Sequence, residues 1–144
     1  MKKEDKIKLF LVDDDSVYLR LLEIEFLHQA DFSIETFATG ELCIESLANT
    51  PDVIILDYKL DGLDKNAMNG IETLDKIKLI YPTMPVIMLS SQDKIDVAVN
   101  CMHHNALDYV VKSETAFMRL KTIITAMIHN KKIEKELSWY MDRM

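Results

Sequence analysis

The sequence places acidic, hydroxyl and ammonium groups directly after short apolar segments. These groups are Asp13 to Asp15, Asp57, Ser90 with Ser91, and Lys112. Carboxylates that lie about 4–6 Å apart resist joint ionisation, and a hard divalent cation relieves their repulsion. Oxygen ligands favour Mg²⁺ or Mn²⁺ over zinc, and no His or Cys follows any of these segments. If the ends of these segments lie close together in the fold, their carboxylates would form a binding site for Mg²⁺ or Mn²⁺.

A hydroxyl and an ammonium group beside such a site suit a transferred phosphoryl group. A carboxylate can act as the nucleophile and become an aspartyl-phosphate. Phosphoryl transfer requires in-line positioning and neutralisation of the charge on the phosphoryl oxygens. The cation would neutralise one oxygen, Lys112 a second, and the Ser90 hydroxyl with nearby backbone N–H groups a third. Each residue alone has an ordinary explanation, because Asp15 or Ser90 could cap a helix and Lys112 could be solvated. Their occurrence together, one group at the end of each of four segments, favours the functional interpretation.

The apolar segments are predicted strands that alternate with amphipathic helical patterns. Strands are expected at residues 7–12, 32–37, 53–56, 86–89 and 107–111, and helices at 16–29, 40–49, 69–80, 92–103 and from 114 onward. This alternation predicts an α/β fold with a parallel sheet covered by helices on both faces. Fully apolar strands belong in the interior and the alternating second strand at an edge, which favours the strand order 2-1-3-4-5. In that order the carboxyl ends of the central strands share one crevice, where the polar groups converge.

Length and composition predict one compact domain. The chain has 144 residues, of which 49% are hydrophobic and 28% charged, and its net charge is −7. An acidic domain repels phosphate backbones, so direct nucleic-acid binding is not expected. No apolar run approaches the about 18 residues that span a bilayer, and the N-terminus lacks the apolar region of a signal peptide. Cys43 and Cys101 have no zinc-type spacing and are expected to be buried thiols, with the cytoplasm as the expected compartment.

Four motifs resemble the receiver domains of two-component response regulators, the CheY-like superfamily. They are LVDDD at residues 11–15, VIILD at 53–57, PVIMLS at 85–90 and DYVVK at 108–112. Segments near residues 39–47 and 68–72 resemble the family's second helix and the start of its third. The resemblance implies a flavodoxin-like (βα)5 three-layer sandwich with an extended C-terminal helix. The receiver domain would span residues 1–128, and residues 129–144 would form a helical extension.

The resemblance also implies a role for each residue at the acidic end of the sheet. Asp57 would be the phosphoacceptor, and Asp14 would bind Mg²⁺ directly. Asp13 would act on the cation largely through water, and the backbone carbonyl of Lys59 would be the remaining protein ligand. Lys112 would bind the phosphoryl group.

A switch is implied by two further residues. Ser90 would move toward the phosphoryl group, and Tyr109 would turn into the space that Ser90 leaves. The face formed by the fourth helix, fifth strand and fifth helix would then change its surface. The chain would be a signalling switch that catalyses only its own phosphorylation and dephosphorylation. Its expected partners are a sensor histidine kinase or phosphotransfer protein, and an output domain or downstream protein.

Three positions depart from the family pattern. Ser113 stands where a proline normally follows the lysine with a cis peptide, so we expect either a trans bond or a strained cis bond. The connection from Asp57 to Gly70 is longer than the usual about 2–6 residues, and its extra residues 61–66 border the expected site. Asn105 replaces a common glycine and is expected to tolerate the left-handed conformation.

The last helical pattern continues past the expected end of the receiver domain. Beyond residue 130 the apolar positions Ile133, Leu137, Tyr140, Met141 and Met144 recur at helical spacing. Three interpretations remain open: a coiled-coil stub or dimer contact, a linker to an output domain, or packing back on the domain. A homodimer could also use the face of the fourth helix, fifth strand and fifth helix.

Two other functions are compatible with parts of the pattern. A haloacid-dehalogenase-like, Mg²⁺-dependent phosphohydrolase would use Asp13 and Asp15 after the first strand. That interpretation leaves Asp57 unexplained and requires a later acidic pair that the sequence lacks at a strand end. A receiver-like scaffold that works without phosphorylation is the second alternative, and the intact acidic cluster argues against it.

Overall fold

The structure is a computed structural model that describes residues 6–29 and 31–144. Its strands are β1 (Ile7–Val12), β2 (Phe32–Phe37), β3 (Val53–Asp57), β4 (Val86–Ser90) and β5 (Asp108–Val111). Its helices are α1 (Ser16–Leu27), α2 (Gly40–Glu45), α3 (Gly70–Ile80), α4 (Ile95–His103) and α5 (Ala116–Met141), with a 3-10 turn at Leu47–Asn49. The predicted order of elements is confirmed. The main difference is that α4 begins at Ile95, three residues after its predicted start at residue 92, so the connection after β4 is longer than predicted.

The five strands form one parallel sheet in the order β2-β1-β3-β4-β5. All of β3 and β4 is buried, whereas in the edge strand β2 only Phe32 is buried and the other five residues are half-buried or exposed. The registers pair Val12 with Leu56, Asp57 with Leu89, and Ser90 with Val111. The carboxyl ends of four strands therefore lie side by side, as the predicted order requires.

The sheet separates two apolar layers. One layer is formed with α1 and α5 and includes Phe26, Leu120 and Ile124. The other is formed with α2, α3 and α4 and includes both cysteines, Cys43 and Cys101, which are buried and free. The predicted three-layer sandwich and the prediction of buried thiols are confirmed. No helix in the described part of the chain has the length and apolar character needed to cross a membrane.

Local polar contacts set where the helices begin and end. The Asp15 carboxylate caps α1 by accepting the N–H groups of Val17 and Tyr18. Asn69 and Glu72 form a reciprocal capping box at the start of α3. The ordinary alternative for Ser90, a cap on the fourth helix, is not observed, because Lys94 is the N-cap residue of α4 and makes no side-chain cap. Ser90 is left available for the site.

The structure shows the backbone conformation at two of the positions that depart from the family pattern. Asn105 has a φ of 69°, so it adopts the left-handed conformation expected at the end of α4. The Lys112–Ser113 peptide is trans, since the described residues contain no cis bond. The first of the two alternatives for Ser113 therefore holds.

Helix α5 extends well beyond the sheet. It has 26 residues, which corresponds to about 39 Å. Leu120, Ile124 and Met127 are buried, but every residue from 131 to 144 is exposed. Packing of this tail back on the domain is therefore not observed, which leaves the dimer and linker interpretations open.

Candidate functional site

Three carboxylates converge at the carboxyl edge of β1 and β3. Asp13, Asp14 and Asp57 each offer one oxygen, and these oxygens lie within 4.8 Å of one another. Asp13 is only 3% exposed and Asp57 only 4%, while Asp14 is partly exposed. The pairing of β1 with β3 causes this convergence, because Asp13 and Asp57 directly follow the paired residues Val12 and Leu56.

Lys112 points into the same pocket from the end of β5. Its Nζ lies 2.8 Å from Asp13 Oδ2 and 3.5 Å from Asp57 Oδ1. The ammonium group also lies 4.5 Å from the centre of the Tyr18 ring, within the range of a cation–π interaction. Two carboxylates and one aromatic ring therefore hold the lysine over the acidic cluster.

The charge in this pocket is not balanced by protein groups alone. The pKa of Asp57 is raised from 3.8 to about 7, chiefly by burial and next by the charge of Asp13, while Lys112 lowers it. Burial lowers the pKa of Lys112, but its hydrogen bond to Asp13 and the charges of Asp57 and Asp13 outweigh the burial, so the pKa of Lys112 is raised. Asp13 Oδ2 is buried, and its charged neighbour is the Lys112 ammonium at 2.8 Å. Three carboxylates that face one ammonium group are a donor set that a hard, oxygen-preferring cation would complete, so the residues fit Mg²⁺ or Mn²⁺.

Ser90 and Tyr109 lie beside the pocket and share a partner. Ser90 is 2% exposed at the end of β4, and its Oγ accepts the N–H of Gln92 at 2.9 Å. The hydroxyl of Tyr109 donates to the carbonyl of the same Gln92. The two residues implied as a switch are thus joined through one segment of backbone after β4.

The connection after β3 also touches the acidic cluster. The N–H of Gly62 donates to Asp14 Oδ2 at 3.1 Å. Lys59 is exposed at the start of this connection, and the role of its carbonyl as a ligand stays a prediction. Beside the cluster is a 360 Å³ cavity whose lining includes Lys59, Asp61 and Gln92.

Sequence reasoning did not identify Tyr18, Gly62 or Gln92. Tyr18 had a usable signal, because it lies in the first turn of a helix that follows the acidic run. Gly62 and Gln92 lie in connections whose path the hydrophobic pattern does not determine. Asp15, the third acid of the run, is exposed and serves as a helix cap rather than as part of the cluster.

Known proteins of one family resemble this chain in sequence. The sequence model of the response regulator receiver domain matches residues 9–125. The DNA-binding transcriptional regulator NtrC of Escherichia coli K12 is 35% identical over 105 residues, which cover 72% of this chain and 21% of that protein. The luminescence regulatory protein LuxO of Vibrio campbellii is 29% identical over 124 residues, covering 85% of this chain and 26% of that protein. The chain therefore spans about a fifth to a quarter of the length of these relatives.

Solved structures share the fold. The receiver domain of a LuxO repressor protein from Vibrio parahaemolyticus has a TM-score of 0.77 at 26% identity, covering 92% of this chain and 97% of that one. The CheX–CheY complex from Borrelia burgdorferi contains a chain with a TM-score of 0.72 at 23% identity, covering 85% of this chain and 89% of that one. The flavodoxin-like sandwich expected from the sequence is confirmed.

The raised pKa of Asp57 predicts how stability depends on pH without metal. The folded state binds more protons than the unfolded state between pH 3.8 and about 7, so Asp57 makes the free energy of unfolding fall as pH rises through this range. Asp57→Asn removes the titrating group. In EDTA, the variant should exceed the wild type by on the order of 2 kcal/mol at pH 8 and by much less at pH 5. Urea denaturation at both pH values measures this difference.

Asp64→Asn is the matched control for this experiment. Asp64 is exposed and accepts only a local N–H, that of Asn66, which an asparagine oxygen can also accept. Its effect should be small and independent of pH. A stability gain of Asp57→Asn that is equal at pH 5 and pH 8 would contradict the interpretation.

Proposed function

Since the chain belongs to the response regulator receiver domain family, we propose that it accepts a phosphoryl group on Asp57 and thereby switches a partner-binding surface. The observation that carries the proposal is the meeting of Asp13, Asp14, Asp57 and Lys112 in one pocket. A nucleophilic carboxylate, an ammonium group and spare acidic oxygens are the parts that phosphoryl transfer requires.

The proposed reaction is a single displacement at phosphorus. An Asp57 carboxylate oxygen attacks the phosphorus of the donor, a new P–O bond forms, and the donor's P–N or P–O bond breaks with its electron pair going to the leaving group. Lys112 is close enough to Asp57 to contact the incoming phosphoryl oxygens, and Tyr18 and Asp13 hold its ammonium in place. The product is an acyl phosphate at the carboxyl edge of β3.

Asp14, Asp57 and the Lys59 carbonyl would hold a Mg²⁺ or Mn²⁺ ion, with Asp13 acting through water. When bound, the cation supplies positive charge to the carboxylates and to the transferred group. Asp13 would also keep its ion pair with Lys112, which has a length of 2.8 Å in the structure.

The proposed switch uses the contacts of the segment after β4. Ser90 Oγ holds the Gln92 N–H, and Tyr109 holds the Gln92 carbonyl. If the Ser90 side chain turns so that its hydroxyl donates to a phosphoryl oxygen, Oγ moves away from the Gln92 N–H that it accepts. The Gln92 backbone then loses this contact, and Tyr109 loses a fixed partner. Such links typically transmit about 1–3 kcal/mol. The surface of α4, β5 and α5 would respond, because Tyr109 lies on β5.

The geometry argues against the hydrolase alternative. That chemistry needs Asp13 and Asp15 together in the pocket. Asp15 is instead exposed and occupied with the N–H groups of Val17 and Tyr18. Asp57, which the alternative leaves without a role, is the buried acid beside Lys112.

Incubation with Mg²⁺ and acetyl phosphate tests the proposed function. The wild type should gain one phosphoryl adduct in intact mass, because Asp57 supplies the nucleophile without a kinase. The adduct should be stable in acid and labile in base. Asp57→Asn should gain none, and Asp15→Asn should behave as the wild type because its carboxylate only caps α1.

Either alternative function would give a different result. Turnover of phosphate esters by a wild type that takes up no phosphate would favour the hydrolase. No adduct and no turnover would favour a scaffold that works without phosphorylation.

We further propose that the chain receives its phosphoryl group from a sensor histidine kinase or phosphotransfer protein and acts on an output domain or downstream protein. The relatives NtrC and LuxO extend far beyond the matched region, which is consistent with an output that lies outside these 144 residues. The cytoplasmic location expected from the sequence stays a prediction.

The exposed end of α5 suits pairing with a second copy of this chain. Ile133, Leu137 and Tyr140 lie on α5 at intervals of four and three residues, which is the spacing of a coiled-coil seam. Met144 follows four residues after Tyr140, beyond the end of the helix at Met141. The four side chains are 42%, 57%, 62% and 101% exposed. An unpartnered apolar stripe of this kind favours the dimer interpretation over a solvated linker.

Light scattering with and without beryllofluoride, a phosphoryl mimic, tests the pairing. We expect the mass of a dimer. Beryllofluoride should increase the fraction of dimer, because the α4–β5–α5 face can join the contact. Leu137→Glu should shift the protein toward monomer, since it places a charge in the seam. Ser138→Glu adds the same charge off the seam and should leave the mass unchanged. A wild type that is monomeric under both conditions would contradict the proposal.

A further inference from the structure

The lengthened connection between β3 and α3 is held to the domain at two points. Near its start, the N–H of Gly62 donates to Asp14 Oδ2 at 3.1 Å. Near its end, the N–H of Met68 donates to Glu41 Oε2 at 2.9 Å. The residues between these contacts are mostly exposed, and Leu63 is 85% exposed. The segment 61–68, which we call the strap, therefore crosses from the acidic pocket to helix α2.

The Gly62 N–H donates to Asp14, the carboxylate that is also a proposed ligand of the divalent cation. A carboxylate has two oxygens and about four acceptor sites, so one N–H donor leaves most of its capacity free. Hydrogen bonds from outside a metal site orient the ligands, and their loss typically lowers metal affinity about 10–100-fold. Asp14 is partly exposed and, among the described contacts, the Gly62 N–H is its hydrogen-bond donor.

We propose that Gly62 is a positioning residue that orients Asp14 for the divalent cation, so that the strap is a working part of the metal site. This inference rests on the proposed function, because it concerns the cation that the receiver would use. It gives a function to the residues that lengthen the connection, since one of them supplies the N–H that Asp14 accepts.

The contact between Gly62 and Asp14 leaves little space for a side chain at residue 62. A Cβ built on Gly62 would lie 3.1 Å from Asp14 Oδ2, closer than side-chain carbons normally approach an oxygen. Its nearest neighbour is thus the flexible carboxylate itself rather than backbone. Alanine at this position would displace the Asp14 carboxylate while leaving the surrounding fold intact.

Glu41 gives the strap a second, remote support. Its Oε2 accepts the Met68 N–H, and its Oε1 is buried without a hydrogen-bond partner. Met68 directly precedes Asn69, the residue that caps α3. Removing Glu41 would release the far end of the strap, so its effect should reach the cation only through Gly62. Glu41→Gln would keep an acceptor oxygen for Met68 and should preserve the support.

Metal affinity of the purified, full chain tests the proposal. Binding of Mn²⁺ would be measured from the decrease in the electron-paramagnetic-resonance signal of the free ion. The thermal stability of each metal-free variant would be measured as well. Gly62→Ala should lower affinity about ten-fold, and Gly62→Pro, which has no N–H, at least as much. Leu63→Ala, an exposed change in the same strap, should leave affinity within two-fold of the wild type. Metal-free unfolding temperatures should stay close to one another, because the contact lies at the surface.

The Glu41 variants separate positioning from general damage. Glu41→Ala should lower Mn²⁺ affinity by a smaller factor than Gly62→Pro, and Glu41→Gln should restore most of it. The double variant Gly62→Pro with Glu41→Ala should bind Mn²⁺ no more weakly than Gly62→Pro alone, because both changes act through the same contact between Gly62 and Asp14.

Each contrary result has a distinct meaning. Unchanged affinity in Gly62→Pro would overturn the inference and leave the receiver function intact. Higher affinity would overturn it as well, because Gly62 would then compete with the cation for Asp14. A wild type that binds no Mn²⁺ or Mg²⁺ would remove the proposed function itself.

Discussion

The site depends on the burial of two acidic side chains beside a single ammonium group. Asp13 and Asp57 are almost entirely excluded from water, and Lys112 is the cation that faces both. One positive charge cannot compensate two buried carboxylates and the adjacent Asp14. Burial, and next the charge of Asp13, raise the pKa of Asp57, and Lys112 offsets them only in part. A divalent cation would therefore stabilise the pocket, and it would let the pocket accept the dianionic phosphoryl group of the proposed reaction.

The fold maintains this arrangement because its charged groups follow rigid, buried strands. β3 and β4 are buried along their whole length and are locked on both sides by neighbouring strands. Their last residues, Asp57 and Ser90, cannot withdraw into solvent without breaking the sheet. Asp14, Gly62 and Gln92 lie instead in connections, where a change of hydrogen-bond partner requires little rearrangement. Rigid strands thus hold the reacting groups, and adjustable connections surround them.

Sequence patterns were sufficient for the parts of the site that belong to strands. Apolar runs ending in Asp13, Asp57, Ser90 and Lys112 predicted both the strand order and the convergence, because parallel strands bring their carboxyl ends to one edge. The strap contacts were not predictable, since Gly62 and Met68 donate through backbone N–H groups, whose positions the pattern of side chains does not reveal. Tyr18 was overlooked because its helical spacing also fits an ordinary core position. The alternative role of Ser90 as a cap on α4 could not be decided from the sequence, because the pattern does not show that the chain after Ser90 remains irregular for four residues before the helix begins.

Proton release on cation binding measures the central imbalance directly. With the pKa of Asp57 near 7 in the metal-free protein, calorimetric Mg²⁺ titrations at pH 7 in buffers of different ionisation enthalpy should give release of about half a proton per ion. Release should fall toward zero at pH 9, where Asp57 is already ionised, and should be absent in Asp57→Asn. Mg²⁺ binding without proton release at pH 7, or equal release from Asp57→Asn, would contradict the account.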